Sequence, residues 1–222
     1  MDDRRPILDD RLSGIPTLGD AASPRPAERI GRFAGLRMTA DEYERLDDDG
    51  CQYELIDGVV VMSPSPLFGH QRIAGEIERQ ILNYLDEHPV GYVAHETDAT
   101  FDPLRVYRPD LMFLSTRRFP VPTDRVHAIP DMVLEVLSPG TRAMDLSTKR
   151  DDYQRFGVSE YWIADPAAAT MTFLRLTSAG AKGGGKMVYR PVPCKGTKFP
   201  SIAIPGFTLN ITPVKKLMAG KK

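Results

Sequence analysis

The chain has 222 residues, of which 41% are hydrophobic and 27% charged, and its formal net charge is −1. This length suffices for one sizeable domain with a buried core. Purely apolar runs are short, as at residues 59–62, so no segment is expected to span a membrane and no secretory signal is expected. Cys51 and Cys194 lie far apart in sequence and suggest neither a disulfide framework nor a metal-ligand pair. We therefore expect a cytoplasmic protein.

The near-neutral charge gives no overall basic footprint of the kind that phosphate binding usually leaves. A local basic patch remains compatible with it. Basic residues in the middle of the chain could supply one: Arg105, Arg108, Arg117, Arg118, Arg142, Lys149 and Arg150. The alternative is a solvated surface of mixed charge in which these residues have no special role.

The two ends of the chain differ in composition from its centre. Residues 1–35 are rich in Pro, Asp, Arg and Gly and lack a hydrophobic period, which indicates a mobile leader. Residues 36–213 carry the periodic segments and are predicted to form a single domain. Residues 214–222 are predicted to form a basic tail.

Two local signals open the predicted domain. Thr39 and Glu42 have the spacing of a capping box, which predicts a short helix. Residues 52–56 and 59–62 are rich in β-forming side chains. They are separated by Asp57-Gly58, a dipeptide that predicts a β-hairpin.

A long helix is predicted over residues 67–86, because Ile73, Ile77 and Ile81 fall on one stripe. The elements predicted after it are strands at 92–101, 110–114 and 132–137, a helix at 145–156 ended by Gly157, a strand at 160–164, a hairpin of 170–176 with 187–191, and an edge strand near 207–211. This order indicates an α/β (mixed α+β) domain with a mixed central sheet flanked by helices.

Two carboxylates interrupt strands that are otherwise apolar. Glu135 shares a strand face with Val133 and Leu137, in a run that is apolar on both faces, so its side chain points into a covered layer. Asp110 has a comparable position at the start of its strand. A buried carboxylate is costly unless it is paired or binds a cation, and acids on neighbouring strands can converge on one hard cation. The alternative is a pair of structural acids satisfied by Arg or backbone amides.

Lys149 lies on the apolar arc of its predicted helix, in line with Leu146 and Tyr153, and therefore needs an acidic partner or must snorkel. Glu54 lies on the first hairpin, where a strand more naturally carries an uncharged residue; an acid that blocks edge pairing is the alternative. Such acids with a lysine suit phosphodiester hydrolysis, in which a metal activates water and a cation offsets developing charge. His70 begins the stripe of the long helix, which favours a core or capping role over a site role.

Residues 180–186 imitate a phosphate-binding loop, but Met187 stands where such a loop requires Ser or Thr. The segment also joins two strand candidates instead of opening a helix. We therefore expect a hairpin loop and no nucleotide cofactor.

Several motifs follow one another with a characteristic spacing. They are Tyr53-Glu54-Leu55-Ile56-Asp57-Gly58, Ser63-Pro64-Ser65-Pro66 with His70, Arg108-Pro109-Asp110, Leu134-Glu135-Val136-Leu137-Ser138-Pro139-Gly140-Thr141, Asp145-Leu146 with Lys149-Arg150, and Gly157-Val158-Ser159-Glu160-Tyr161-Trp162-Ile163. Together they resemble the Uma2 family (DUF820) of restriction endonucleases in the PD-(D/E)XK nuclease superfamily, over about residues 38–176. The resemblance implies a restriction-endonuclease-like αβββαβ core with an N-terminal β-hairpin and a C-terminal β extension.

The same resemblance implies Mg²⁺-dependent DNA cleavage, with Mn²⁺ as a substitute metal. Asp110 and Glu135 would be the metal-binding acids, and Glu54 an additional acid that orients water or binds a second metal. Leu137 stands where the E-x-K lysine would be, and the family's lysine would lie on the following helix as Lys149. DNA is the expected partner, and a homodimer would supply the two sites that cutting two strands usually needs. The alternatives are a catalytically inactive nucleic-acid-binding or regulatory module and a structural protein that kept the acids for stability.

Overall fold

The computed structural model describes residues 31–65, 67–179 and 185–220. The predicted leader lies outside the described residues up to residue 30, as do residues 180–184 of the glycine-rich loop and the last two residues of the predicted tail. Within the described ranges, no helix has the length and apolar character needed to cross a membrane.

The described residues form these elements in chain order: α1 (Ala40–Tyr43), β1 (Gln52–Ile56), β2 (Val59–Ser63), α2 (Phe68–Leu85), β3 (Gly91–His95), β4 (Ala99–Asp102), β5 (Arg105–Tyr107), β6 (Leu111–Ser115), β7 (Met132–Val136), α3 (Arg142–Met144), a π-helix (Asp145–Lys149), α4 (Arg150–Phe156), β8 (Glu160–Asp165), β9 (Thr170–Ser178), β10 (Met187–Pro191), β11 (Lys198–Pro200), β12 (Thr208–Asn210) and α5 (Ile211–Met218).

The strands form a six-stranded sheet of order β10-β9-β8-β7-β6-β3, a four-stranded sheet of order β2-β1-β5-β4, and the pair β11-β12. In the six-stranded sheet, β7 and β8 are parallel and the other neighbours are antiparallel, so the sheet is mixed. The elements α2, β3, β6, β7, α4 and β8 follow the predicted αβββαβ order, with β4 and β5 inserted. The predicted fold class is therefore confirmed.

The first hairpin forms where the sequence predicts it. Asp57 (φ 49°) and Gly58 (φ 73°) both adopt the left-handed conformation, as a type I′ turn requires, and Ile56 pairs with Val59 across the turn. The capping box at Thr39 and Glu42 is also present, with each residue bonded to the backbone of the other.

The six-stranded sheet separates two apolar clusters. On one face, the predicted stripe of α2, represented by Ile77, packs with Leu134 and with Val214 of α5. On the other face, Val133 packs with Tyr153 of α4 and with side chains of the four-stranded sheet. Alternation along β7 places the Glu135 side chain on this second face, between the two sheets.

The predicted strand at residues 92–101 is divided into two strands that belong to different sheets. β3 pairs with β6 in the six-stranded sheet, whereas β4 pairs with β5 in the four-stranded sheet. Between them, Glu96 has a φ of 43°, and this left-handed conformation ends the extended chain. The chain therefore crosses from one sheet to the other at Glu96.

Residues 214–218 of the predicted basic tail form part of a helix. The segment belongs to α5, which begins at an Asn210 cap whose side chain accepts a hydrogen bond from the Thr212 amide at 3.1 Å. Val214 and Met218 are buried against the core, while the lysines of this helix are exposed. Lys215 and Lys216 therefore lie on the outer face of an amphipathic helix.

Phe33, which lies ahead of the predicted boundary at residue 36, packs against the core. The Phe33 side chain is 7% exposed, and its ring centroid lies 5.8 Å from that of Tyr53. We expect Phe33→Ala to lower the free energy of unfolding by about 3 kcal/mol, because it empties a buried aromatic position. The neighbouring Leu36 is 48% exposed, so Leu36→Ala should change that free energy by less than about 0.5 kcal/mol. Urea unfolding of both variants measures this difference, and equal losses would contradict the assignment.

Candidate active site

A cleft of about 720 Å³ lies where β6 begins and β7 ends. Leu111 pairs with Leu134 in the sheet register, which places Asp110 and Glu135 side by side at this edge. The lining of the cleft includes all four side chains predicted as site residues: Glu54, Asp110, Glu135 and Lys149. Glu54 comes from β1 of the four-stranded sheet, so the cleft draws on both sheets.

Lys149 is at the centre of the cluster. Its Nζ lies 2.9 Å from Oε1 of Glu54, 3.1 Å from Oε1 of Glu135 and 3.6 Å from Oδ1 of Asp145. The residue is 4% exposed, so the charge is almost fully removed from water. Of the two alternatives that the sequence left open for Lys149, the structure shows acidic partners and not a side chain that snorkels to the surface.

The acids also hold fixed hydrogen bonds to the protein. Oε1 of Glu135 accepts a hydrogen bond from the Tyr153 hydroxyl at 2.9 Å, and Oε1 of Glu54 accepts one from the Arg108 amide at 2.8 Å. These bonds use the same oxygens that contact Lys149. The Tyr153 hydroxyl and the Arg108 amide thus hold the two carboxylates that position the ammonium group of Lys149.

Asp110 is held at one oxygen by two groups. Its Oδ2 accepts a hydrogen bond from the Val136 amide at 2.6 Å and lies 3.1 Å from Nε2 of His70. Burial acts to lower the pKa of His70, but the contact with Asp110 outweighs it and the pKa is raised above its usual value. His70, for which the sequence favoured a core or capping role, therefore lies in the site.

The crowding of acids determines the electrostatics of the cleft. Burial raises the pKa of Glu135 well above its usual value, and the nearby carboxylates of Asp145 and Asp110 add to the rise. Burial also raises the pKa of Asp145. For Lys149, burial acts in the opposite direction, but the surrounding carboxylates outweigh it and hold its pKa well above the usual value. The lysine is therefore charged at neutral pH.

Asp145, which the sequence predicts only as part of a motif, also belongs to the candidate site. It is 1% exposed and lines the cleft, and its Oδ1 has no hydrogen-bond partner among the described residues. The π-helix that carries both Asp145 and Lys149 interrupts the predicted regular helix, and Leu146, predicted on the buried arc, is 38% exposed. The spacing of four residues between Asp145 and Lys149 was the available signal, because residues so spaced are neighbours on a helix.

The oxygens available to a cation in the cleft belong mainly to Asp110 and Glu135. Oδ2 of Asp110 and Oε1 of Glu135 accept hydrogen bonds from the protein. Oδ1 of Asp110 and Oε2 of Glu135 have no hydrogen bond to a described residue. No three His, Cys, Asp or Glu side chains in the described ranges converge closely enough to hold a metal by themselves. Mg²⁺ commonly takes only one or two carboxylates and completes its shell with waters and substrate phosphates, so this donor set fits it.

The Oδ1 atom of Asp145, which lies 3.6 Å from Nζ of Lys149 but has no hydrogen bond to a described residue, supports the same conclusion. The lining contains the acids Glu54, Glu96, Asp110, Glu135 and Asp145, against the basic residues His70, Arg108 and Lys149. Arg108 is itself paired with Asp98 at 2.7 Å, outside this set. The cleft therefore carries an excess of negative charge, which a bound cation would offset.

The basic patch predicted from the middle of the chain is largely neutralised. The following pairs form among its members: Arg105 with Asp57, Asp102 and Asp152; Arg108 with Asp98; Arg118 with Asp131; Arg142 with Asp165; and Lys149 with the three acids described above. An arginine whose guanidinium already pairs with a carboxylate is less available to bind a phosphate. The mixed-charge alternative describes these side chains better than a phosphate-binding stripe does.

Comparison with known proteins connects this site to a family. The model of the Uma2 family, described as "Putative restriction endonuclease", matches residues 40–212. Among solved structures, the chain is similar to the crystal structure of "a putative nuclease belonging to DUF820" from Anabaena variabilis ATCC 29413. The TM-score is 0.66 and the identity 19%, over 82% of this chain and 99% of that chain. At this identity the likeness shows a shared fold. No curated protein matches the chain.

Proposed function

This chain belongs to the Uma2 family, and we propose that it is a metal-dependent endonuclease that hydrolyses DNA phosphodiester bonds. The family description and the structural neighbour suggest a nuclease. The observation that carries the proposal further is the convergence of Asp110, Glu135 and Lys149 in one cleft. Two adjacent carboxylates beside a buried ammonium are the groups that metal-assisted hydrolysis of a phosphodiester needs.

In this proposal, Asp110 and Glu135 hold Mg²⁺, or Mn²⁺ in its place, through their available oxygens, with Glu54 as an additional acid. When bound, the metal supplies Lewis-acid polarisation of a phosphoryl oxygen and a more acidic water. The backbone amide of Val136 and the His70 ring fix the Asp110 carboxylate, so that its other oxygen stays directed to the cleft. Such support from groups behind a ligand orients it before substrate arrives.

Lys149 provides the positive charge of the site. Its ammonium, fixed by Glu54 and Glu135, offsets negative charge that develops on the phosphoryl oxygens as the bond to the leaving group breaks. Because it is buried, this charge is poorly screened and acts more strongly than it would in water. Glu54, on the first hairpin of the four-stranded sheet, contacts Lys149 from the other side of the cleft. In this proposal, Glu54 therefore also positions the lysine.

The test is cleavage of supercoiled plasmid and of single-stranded DNA in Mg²⁺ or Mn²⁺, with EDTA as the metal-free condition. We expect cleavage by the unmodified protein only when metal is present. Asp110→Asn should reduce the cleavage rate by more than about 100-fold. Changes to residues that only support a metal ligand reduce activity by about 10-fold to 100-fold, and Asp110 is a proposed ligand itself. Asp124, an exposed acid outside the cleft, provides the matched control, and Asp124→Asn should cut normally.

Metal binding is measured separately by thermal denaturation. Mn²⁺ should raise the melting temperature of the unmodified protein, because it offsets the negative charge of the cleft, and should raise that of Asp110→Asn less. Full cleavage by Asp110→Asn would contradict the proposed site. DNA binding with no cleavage by the unmodified protein would instead favour the inactive nucleic-acid-binding module.

A further inference from the structure

The charge distribution poses a problem for a protein that binds nucleic acid. The net charge is −1, the cleft is rich in acids, and most of the central arginines are paired with carboxylates. Proteins that bind duplex DNA obtain most of their sequence-independent affinity from contacts between Lys or Arg and phosphates. Here that source of affinity is weak, so another kind of contact must hold the substrate.

Apolar side chains beside the cleft offer such a contact. Leu67 lines the cleft and is 71% exposed, and Phe68, the next residue, is 79% exposed. These are the highest exposures among the large apolar side chains of the described residues. Two adjacent exposed apolar residues at the mouth of a polar site form a surface that a planar apolar ligand can cover.

The surface is continuous with the proposed catalytic groups. Phe68 begins α2, and His70, two residues further along the same helix, contacts Asp110 at 3.1 Å. Leu67 and Gly69, the two residues that flank Phe68 in sequence, both line the cleft that contains Asp110. Two further apolar side chains, Ile73 and Leu137, are largely buried and also line the cleft.

A positive charge accompanies the exposed ring. The guanidinium carbon of Arg72 lies 5.9 Å from the centroid of the Phe68 ring, one turn along α2. Arg72 is exposed and has no acidic partner among the described residues, in contrast to the paired arginines of the central segment. An aromatic face beside an available guanidinium matches the two parts of a nucleotide, the base and its phosphate.

We propose that Leu67, Phe68 and Arg72 form a stacking platform for one unpaired base next to the scissile phosphate. The inference rests on the proposed nuclease function and specifies its substrate class as single-stranded or locally unpaired nucleic acid. In a duplex the base faces are covered by their neighbours and the phosphates point outward, toward an acid-rich cleft. In an unpaired strand the base face is free to cover Phe68, and stacking supplies affinity without a basic stripe.

The experiment measures binding by fluorescence anisotropy of a labelled single-stranded oligonucleotide, in a Ca²⁺ buffer, with the oligonucleotide checked for intactness. Phe68→Ala should weaken binding by about 5-fold to 100-fold, the range for loss of one base-stacking contact. Phe68→Trp should retain the affinity, because it keeps an aromatic face. Ile202→Ala is the matched control: Ile202 is 57% exposed but does not line the cleft, and its loss should leave the affinity unchanged.

A duplex of the same sequence should bind more weakly than the single strand and should respond little to Phe68→Ala. Unchanged single-strand affinity in Phe68→Ala would overturn the platform, as would equal affinity for duplex and single strand. Sedimentation of both proteins tests whether a second copy of the chain covers the patch. A dimer that is lost in Phe68→Ala, with oligonucleotide affinity unchanged, would replace the platform by a self-association surface.

This experiment separates the platform from the proposed activity. If the unmodified protein never cuts DNA but binds a single strand through Phe68, the platform stands and the nuclease proposal fails. If it cuts DNA through Asp110 but Phe68→Ala binds normally, the nuclease proposal stands and the platform fails.

Discussion

Replacing Lys149 by methionine should lower the free energy of unfolding by about 3–5 kcal/mol, the range for removing one partner of a buried ion pair. The substitution leaves Glu54, Glu135 and Asp145 close together with no cation between them. Their mutual repulsion in a buried site is the physical reason for the size of the effect. Urea denaturation at neutral pH measures the loss, and cleavage by the remaining folded protein should fall to the level without metal.

Lys216, an exposed lysine of α5, provides the control for this variant. Lys216→Met should change the free energy of unfolding by less than about 0.5 kcal/mol. In the double variant Lys149→Met with Glu135→Gln, part of the lost stability should return, because one of the unpaired carboxylates has been removed. Glu135→Gln alone is the reference: an equal change in the free energy of unfolding with and without Lys149→Met would show that the lysine and the acid are not energetically coupled.

The second large effect is a separation of activity from stability at Glu135. Glu135→Gln preserves the shape of the side chain and removes one negative charge from a cleft with an excess of them. Because the pKa of Glu135 is raised, its ionised form is disfavoured in the folded state, and the neutral variant should be at least as stable as the unmodified protein. The DNA cleavage rate should nevertheless fall by more than about 100-fold, since a proposed metal-binding oxygen has been replaced.

Glu160 offers a matched substitution with the opposite expectation. It is as deeply buried as Glu135 and lies on the neighbouring strand β8, but it is satisfied by Arg175, Ser201 and the Trp162 indole, away from the cleft. Glu160→Gln should therefore lower the melting temperature while cleavage per folded molecule is retained. Melting curves and single-turnover cleavage of both variants give the comparison. A loss of stability in Glu135→Gln with activity retained would reverse the assignment.

Where local chemistry determines local structure, the sequence predicted the fold well. Asp57-Gly58 supplies the two left-handed residues of a tight hairpin, and the isoleucines of α2 supply a buried stripe with a helical period. Glu135 could be predicted to have a partner because a charge in a strand that is buried on both faces is costly without one. Lys149 could be predicted to need an acidic partner or to snorkel because it lies on the apolar side of its helix. These signals each depend on a few neighbouring residues.

The errors arise where distant contacts decide the structure. Nothing in the side chain of Glu96 predicts a left-handed conformation, so the break between β3 and β4 was missed. The segment 214–222 was interpreted from its lysines, although Val214 and Met218 of α5 are buried. The pairing of Arg105 and Arg108 with acids far away in sequence also depends on the folded chain. Asp145 was missed, despite its four-residue spacing from Lys149, because only the folded chain shows that its side chain is buried in the cleft.

The origin of the site in two sheets has a consequence for synthesis of the protein. Glu54 leaves the ribosome first, Asp110 and Glu135 follow, and Lys149 emerges after all three. β7 also needs β8, its parallel partner, before the edge that carries Glu135 is secured on both sides. Because domains fold as units during synthesis, the acids can be held together beside their counterion only after Lys149 and β8 have been made. We therefore expect a chain that stops before Lys149 to contain no folded site.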